Sequence, residues 1–202
     1  MTSPKLVYPH PKLVLASLSP RRQSLLRLMG IVFEVLVSRI PEDALPEENP
    51  REFTRRMAEE KAQAIGRTLD EAWVLGADTV VVIDDHIMGI PSGEGEAREM
   101  LERLSGRKHS VFTSFCFYRP SLDYLLVRTV ESTVVFKVLS GEEIMGYIRS
   151  GEPFDKAGAY GVQGLGAFMI REIHGSYTNV VGLPLCELIE TMKDLKIIQE
   201  FP

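Results

Sequence analysis

The sequence predicts an α/β fold: a mixed β-sheet flanked by helices, arranged as two lobes about a cleft. Strand-like and helix-like patterns alternate through the first half, and a long hairpin pattern occupies residues 109 to 138. At 202 residues and 45% hydrophobic content, the chain can also bury a full core. No repeat, low-complexity tract or Pro/Gly/Ser-rich linker divides it, so residues 1–202 read as one domain of two lobes. Residues 1–12, with their prolines and charges, read as a flexible N-terminal extension.

The apolar run at 13 to 16 predicts a buried strand. Ser19-Pro20 follows as an N-cap with proline at the first helical position, opening a helix that carries Leu25, Leu26, Leu28 and Met29 and stops at Gly30. A strand is expected over about 31 to 37, then an acidic loop. Asn49-Pro50 with Glu52 at the capping-box position starts the next helix, whose inner face is Phe53, Met57 and Ile65. Residues 73 to 83, rich in β-branched side chains, predict a central strand ended by a turn at Asp84-Asp85. A helix over 96 to 104 follows, then strands near 109 to 118 and 124 to 138 joined at Arg119-Pro120-Ser121. The Ser140/Glu143 capping box starts another helix. A glycine-rich loop, a strand near 167 to 173 and a helix opened by Pro184 complete the chain.

A formal net charge of −5 argues against a nucleic-acid coat, which needs a large basic face. No secretory signal and no apolar run of membrane-spanning length is present, so the expected setting is the cytoplasm, with neither nucleic acid nor membrane as partner. Cys116 and Cys186 lack metal-ligand spacing and read as buried thiols.

Five segments could carry chemistry. Ser17-Leu18-Ser19-Pro20-Arg21-Arg22 puts two hydroxyls and two guanidinium groups at a strand-to-helix junction, which suits phosphate and equally suits a plain cap with solvated arginines. The acidic run Glu42-Asp43 and Glu47-Glu48, followed by Lys61, could hold a hard cation or simply be solvated. Asp78, in Gly76-Ala77-Asp78-Thr79, sits in an otherwise apolar strand. There an ionised carboxylate needs a cation or hydrogen bonds to offset its desolvation, although a capping role is the structural alternative. The stretch 151 to 164 combines glycines, an Asp155-Lys156 pair and the amide of Gln163, and matches neither a Rossmann nor a P-loop fingerprint. The polar run 175 to 184 serves turn and cap formation as readily as a cleft lining. His109 and His174 read as surface or hydrogen-bonded histidines rather than metal ligands.

Six stretches together resemble the Maf family: Leu15-Ala16-Ser17 with Ser19-Pro20-Arg21-Arg22, Glu60-Lys61-Ala62, Gly76-Ala77-Asp78-Thr79-Val80-Val81, Leu104-Ser105-Gly106-Arg107 with His109, Asp155 to Gly161 with Gln163-Gly164, and Gly175-Ser176-Tyr177 with Asn179 to Leu185. The resemblance implies a nucleoside triphosphate pyrophosphatase dependent on a divalent metal cation, Mg²⁺ or Mn²⁺, with an elongated mixed sheet similar to that of inosine triphosphate pyrophosphatases. It implies Asp78 as proton acceptor, Asp78 and Glu42 as metal-site carboxylates, and Ser17, Arg22 and Lys61 as phosphate-binding residues. Arg21, Thr79 and Gln163 fall where the family sets base choice, and they resemble the branch acting on dTTP and UTP. A homodimer is compatible with the pattern.

One position departs from the family. Gly89-Ile90-Pro91 stands where Gly-Lys-Pro is usual, which removes a cation from the expected phosphate site. Lys61, Lys156 or the arginines are candidates to replace it. The alternative reading is a nucleotide-binding regulator of cell division and septum formation with little turnover; an RNA-binding module is disfavoured by the acidic charge balance.

Overall fold

In the computed structural model, residues 6–69 and 71–199 are described. Seven strands form one sheet: β1 (Leu13–Leu15), β2 (Glu34–Val35), β3 (Trp73–Ile83), β4 (His86–Met88), β5 (Lys108–Arg119), β6 (Tyr124–Phe136) and β7 (Ile170–His174). Their hydrogen-bonded order is β2-β1-β3-β5-β6-β7, with β4 on β3. The sheet is mixed, because β1 is parallel to both β2 and β3 whereas β4 and β7 are antiparallel to β3 and β6. Only antiparallel pairing fits the short link from β5 to β6, a single 3₁₀ turn at Pro120–Leu122. Among the described residues, no helix is long and apolar enough to cross a membrane.

The helices are α1 (Pro20–Leu28), α2 (Pro50–Gly66), α3 (Glu94–Leu104), α4 (Gly141–Arg149), α5 (Tyr177–Val181) and α6 (Leu185–Asp194). Their starts follow side-chain chemistry. Ser19 accepts from Arg22 N at the head of α1, and reciprocal capping boxes, Asn49 with Glu52 and Ser140 with Glu143, open α2 and α4.

The chain divides into two compact units, neither of them a continuous stretch. The first holds the residues up to Asp78, Thr113–Thr129 and those from Gly182 on. Its core includes Val14, Val74 and Cys116 from strands, and Ala16 just after β1, against Ala58, Ala62 and Ile65 of α2. Gly76 permits the close approach of α2: a Cβ there would meet Ala58 O at 2.2 Å and Ala62 N at 2.7 Å. The second unit holds Thr79–Phe112 and Val130–Val181. Its core gathers Val81, Met88, Leu101, Val111, Phe136, Ile148, Tyr160 and Met169.

Several expectations need adjusting. Of the segment 1–12, residues 1–5 lie outside the described residues, while Val7 is buried and exchanges backbone hydrogen bonds with Gly30 O and Val32 N. The strand expected over 31 to 37 pairs with β1 only at Glu34 and Val35. Cys186 is exposed rather than buried, because α6 turns Leu185, Leu188, Ile189 and Met192 inward and leaves position 186 on the opposite face.

Candidate active site

In the first unit, β1 and β3 run parallel with Leu15 opposite Leu75. Ser17 follows Leu15 by two residues and Asp78 follows Leu75 by three, so both lie just past the carboxyl end of the β1–β3 ladder, the side on which open α/β sheets collect their ligands. Residues 76 and 78 share a face of β3. The missing side chain at Gly76 admits α2, and α2 delivers Lys61 to Asp78.

Lys61 Nζ donates to Asp78 Oδ1 at 2.8 Å and lies 2.9 Å from Glu42 Oε1. Lys61 and Asp78 are both buried, and the ammonium offsets the desolvation of the strand carboxylate. Glu42, on the loop between β2 and α2, is exposed.

Arg22 is buried in the first turn of α1. Its Nε donates to Gly182 O at 2.9 Å and its Nη1 to Ser17 Oγ at 3.1 Å. Ser17 Oγ also accepts from Ser19 N at 3.3 Å, so one hydroxyl joins the end of β1 to the start of α1. Burial pulls the guanidinium's proton affinity below its ordinary value, while Asp78 opposes that shift, Arg21 reinforces it and Glu42 opposes it. The first unit therefore brings Ser17, Arg21, Arg22, Glu42, Lys61 and Asp78 into one electrostatic neighbourhood. Nothing local in the sequence marks Gly182 O as the acceptor for Arg22.

These residues can meet a hard cation in part. Among the described residues, no group of three or more His, Cys, Asp or Glu could enclose a metal ion. Two carboxylate oxygens nevertheless converge on a single ammonium, so a positive charge already sits between oxygen ligands there. A pair of this kind fits Mg²⁺ or Mn²⁺ when phosphate oxygens and water complete the shell, as is common for nucleotide-bound ions.

In the second unit, Thr79 is half-buried and, as the next residue in β3, points to the face opposite Asp78. Gln163 is exposed, on extended backbone between Val162 and Gly164. Ile90 is exposed too, and the preceding carbonyl, Gly89 O, accepts from Gly158 N at 3.0 Å. Gly158 has φ +68°, and a Cβ there would meet Val81 at 2.9 Å, so that turn depends on glycine. Lys156 Nζ donates to Glu152 O at 2.6 Å and to Asp155 Oδ1 at 2.5 Å, which commits it to its own loop. His109 is buried against Phe136, its Nε2 2.7 Å from Tyr160 Oη, and burial pushes its pKa down to about 4. It is therefore a neutral core histidine. His174 is exposed beside Glu172.

The Maf family profile, described as Maf-like protein, matches residues 12–195. Named relatives are similar over almost the whole chain. A dTTP/UTP pyrophosphatase of Syntrophus aciditrophicus is 52% identical over 91% of this chain and 90% of its own length. Two more proteins of that name are 48% identical, from Geobacter sulfurreducens (90% of this chain, 95% of the relative), and 47% identical, from Geobacter metallireducens (91% and 96%). A solved structure described as a HAM1 protein from Coxiella burnetii aligns with a TM-score of 0.44 at 19% identity, covering 73% of this chain and 85% of that one, which is too distant to support a conclusion.

Proposed function

This chain belongs to the Maf family, and on that premise we propose that it hydrolyses dTTP and UTP to the nucleoside monophosphate and pyrophosphate. The observation that carries the proposal is the buried Lys61–Asp78 pair with Glu42 on the same ammonium, beside Arg22 and Ser17. Relatives named dTTP/UTP pyrophosphatase support the choice of substrate.

Arg22, Lys61 and Ser17 bind the triphosphate, with a guanidinium fork suited to phosphate oxygens. Asp78 and Glu42 would hold a divalent cation, which would supply charge neutralisation at the phosphates. Asp78 accepts a proton from water as the water oxygen bonds to the α-phosphorus. The bond from that phosphorus to the α–β bridging oxygen breaks, and pyrophosphate leaves with its electron pair. Arg21, Thr79 and Gln163 select the base.

The test is a pyrophosphate-release screen over nucleoside triphosphates with Mg²⁺ and Mn²⁺, comparing the native chain with Asp78→Asn. Turnover of dTTP and UTP that depends on the metal and on Asp78 is expected. Equal turnover by the variant overturns the assignment.

A further inference from the structure

The glycine-rich loop that displays Gln163 is tied to one carboxylate and one phenol of the second unit. Glu152 Oε2 accepts from Leu165 N at 2.9 Å, and its Oε1 accepts from Gly166 N at 3.0 Å and from Tyr147 Oη at 3.0 Å. Tyr147 Oη in turn accepts from Gly161 N at 3.1 Å. The chain is thus pinned two residues before Gln163 and again two and three residues after it. Burial alone pushes the pKa of Glu152 up, but the donors at Gly166, Leu165 and Tyr147 together with Lys156 outweigh it and hold the carboxyl below the usual range.

The glycines in this loop answer to the same two side chains. A Cβ at Gly164, which has φ +76°, would meet Glu152 Oε2 at 2.8 Å, and one at Gly166 would meet Gly161 O at 2.4 Å and Tyr147 Oη at 2.8 Å. The loop is therefore shaped to wrap a carboxylate. Gln163 is exposed and makes no side-chain hydrogen bond among the described residues, so its amide is oriented through the backbone on either side.

We propose that Tyr147 and Glu152 form a positioning clamp that sets the Gln163 amide for the pyrimidine base, making them specificity determinants that themselves touch no substrate. This rests on the proposed role of Gln163 in base choice. Uracil and thymine place an N–H beside a carbonyl, and one amide answers both only if its origin is fixed, since its acceptor and donor lie on a common plane. Glu152→Gln keeps the shape but sets an N–H donor against the N–H of Leu165 or Gly166, which releases the far side of the loop.

The experiment measures kcat and KM for dTTP, UTP and dCTP in the native chain, Glu152→Gln, Tyr147→Phe, Gln163→Ala and the Glu152→Gln/Gln163→Ala double variant. Glu152→Gln is expected to raise KM for dTTP about tenfold, to lower kcat far less, and to cut about tenfold the preference for dTTP over dCTP, whose base presents an acceptor beside an amino donor instead. Tyr147→Phe shifts the same quantities less, and decides the matter if Glu152→Gln fails to fold. In the Gln163→Ala background, Glu152→Gln causes no further loss of preference. The clamp is overturned if Glu152→Gln keeps the native preference, or if its effect adds in full to that of Gln163→Ala. If Gln163→Ala keeps the native preference, the role of Gln163 falls first and the clamp with it.

Discussion

Lys61 Nζ and Asp78 Oδ1 lie 2.8 Å apart with only 9% of each side chain exposed, whereas Glu42, on the same ammonium, has 58% of its side chain exposed. The pair is therefore asymmetric. Removing Lys61 leaves a buried carboxylate without its ion-pair partner, while removing the charge of Asp78 leaves Lys61 with Glu42. Lys61→Met should cost about 3 kcal/mol of stability, and Asp78→Asn about 1 kcal/mol or less. Pyrophosphate release should be nearly abolished in Asp78→Asn all the same. Thermal melts run beside the activity assay check both; an Asp78→Asn protein that is more destabilised than Lys61→Met contradicts the asymmetry.

Gly76 lets α2 come close enough for that contact. A methyl group there meets a backbone carbonyl, Ala58 O, at 2.2 Å, and a carbonyl in mid-helix cannot swing aside as a flexible side chain could. Gly76→Ala is expected to cost about 1–3 kcal/mol, lowering the melting temperature by roughly 3–10 °C, and to lower activity by separating Lys61 from Asp78. Gly95→Ala is the control: its Cβ meets nothing within 4 Å and α3 gains a better helix former, so its melting temperature should not fall.

The parts legible in the sequence were those set by near neighbours. Ser19, Asn49 and Ser140 cap the helices they were expected to cap, because a cap bonds within three residues of itself. Asp84 and Asp85 form the expected turn, both at positive φ. What stayed hidden depends on distant partners. The strand around Glu34 is short because only two of its residues find β1, and Ile31 instead bridges to Val7. Helix α5 has only five residues, too few to show a periodic pattern. Tyr147 carried no local sign of its contacts, since the hydrogen bonds of its hydroxyl go to Gly161 and Glu152 in a later loop. Asp78 stood out as a charge in an apolar strand; Lys61, seventeen positions earlier on a helix, carried no local sign of being its partner.

His109 gives stability a pH dependence whose sign follows from its burial. Its folded pKa lies at about 4, against an ordinary value near 6.5, so between those limits the unfolded chain binds a proton that the folded chain does not. Stability then falls as pH drops from about 6.5 toward 4, by about 2 kcal/mol at pH 5. The carboxylates held low by partners, such as Glu48 with Arg56 and Asp84 with Arg107, lose their contribution only at more acid pH, as it falls through their folded values. Melting temperatures between pH 7 and 5 should therefore decline in the native chain and stay nearly level in His109→Gln. A decline of equal size in both would assign the effect elsewhere.

Ile90 offers a gain-of-function test. The residue is 59% exposed and the preceding carbonyl, Gly89 O, is held by the Gly158 turn, so a lysine can be placed there without disturbing the core. Lys156, one candidate to replace the missing cation, is engaged by Glu152 O and Asp155. Ile90→Lys is expected to raise kcat/KM for dTTP about tenfold, because a charge-assisted contact to phosphate contributes about 1.5–3 kcal/mol, part of it spent on ordering the lysine. Ile90→Gln, which can hydrogen-bond but carries no charge, should gain less than about threefold, and the lysine's advantage should shrink as salt is raised. Unchanged kcat/KM in Ile90→Lys, with an unchanged melting temperature, would mean that Arg21, Arg22 and Lys61 already supply the charge the triphosphate needs.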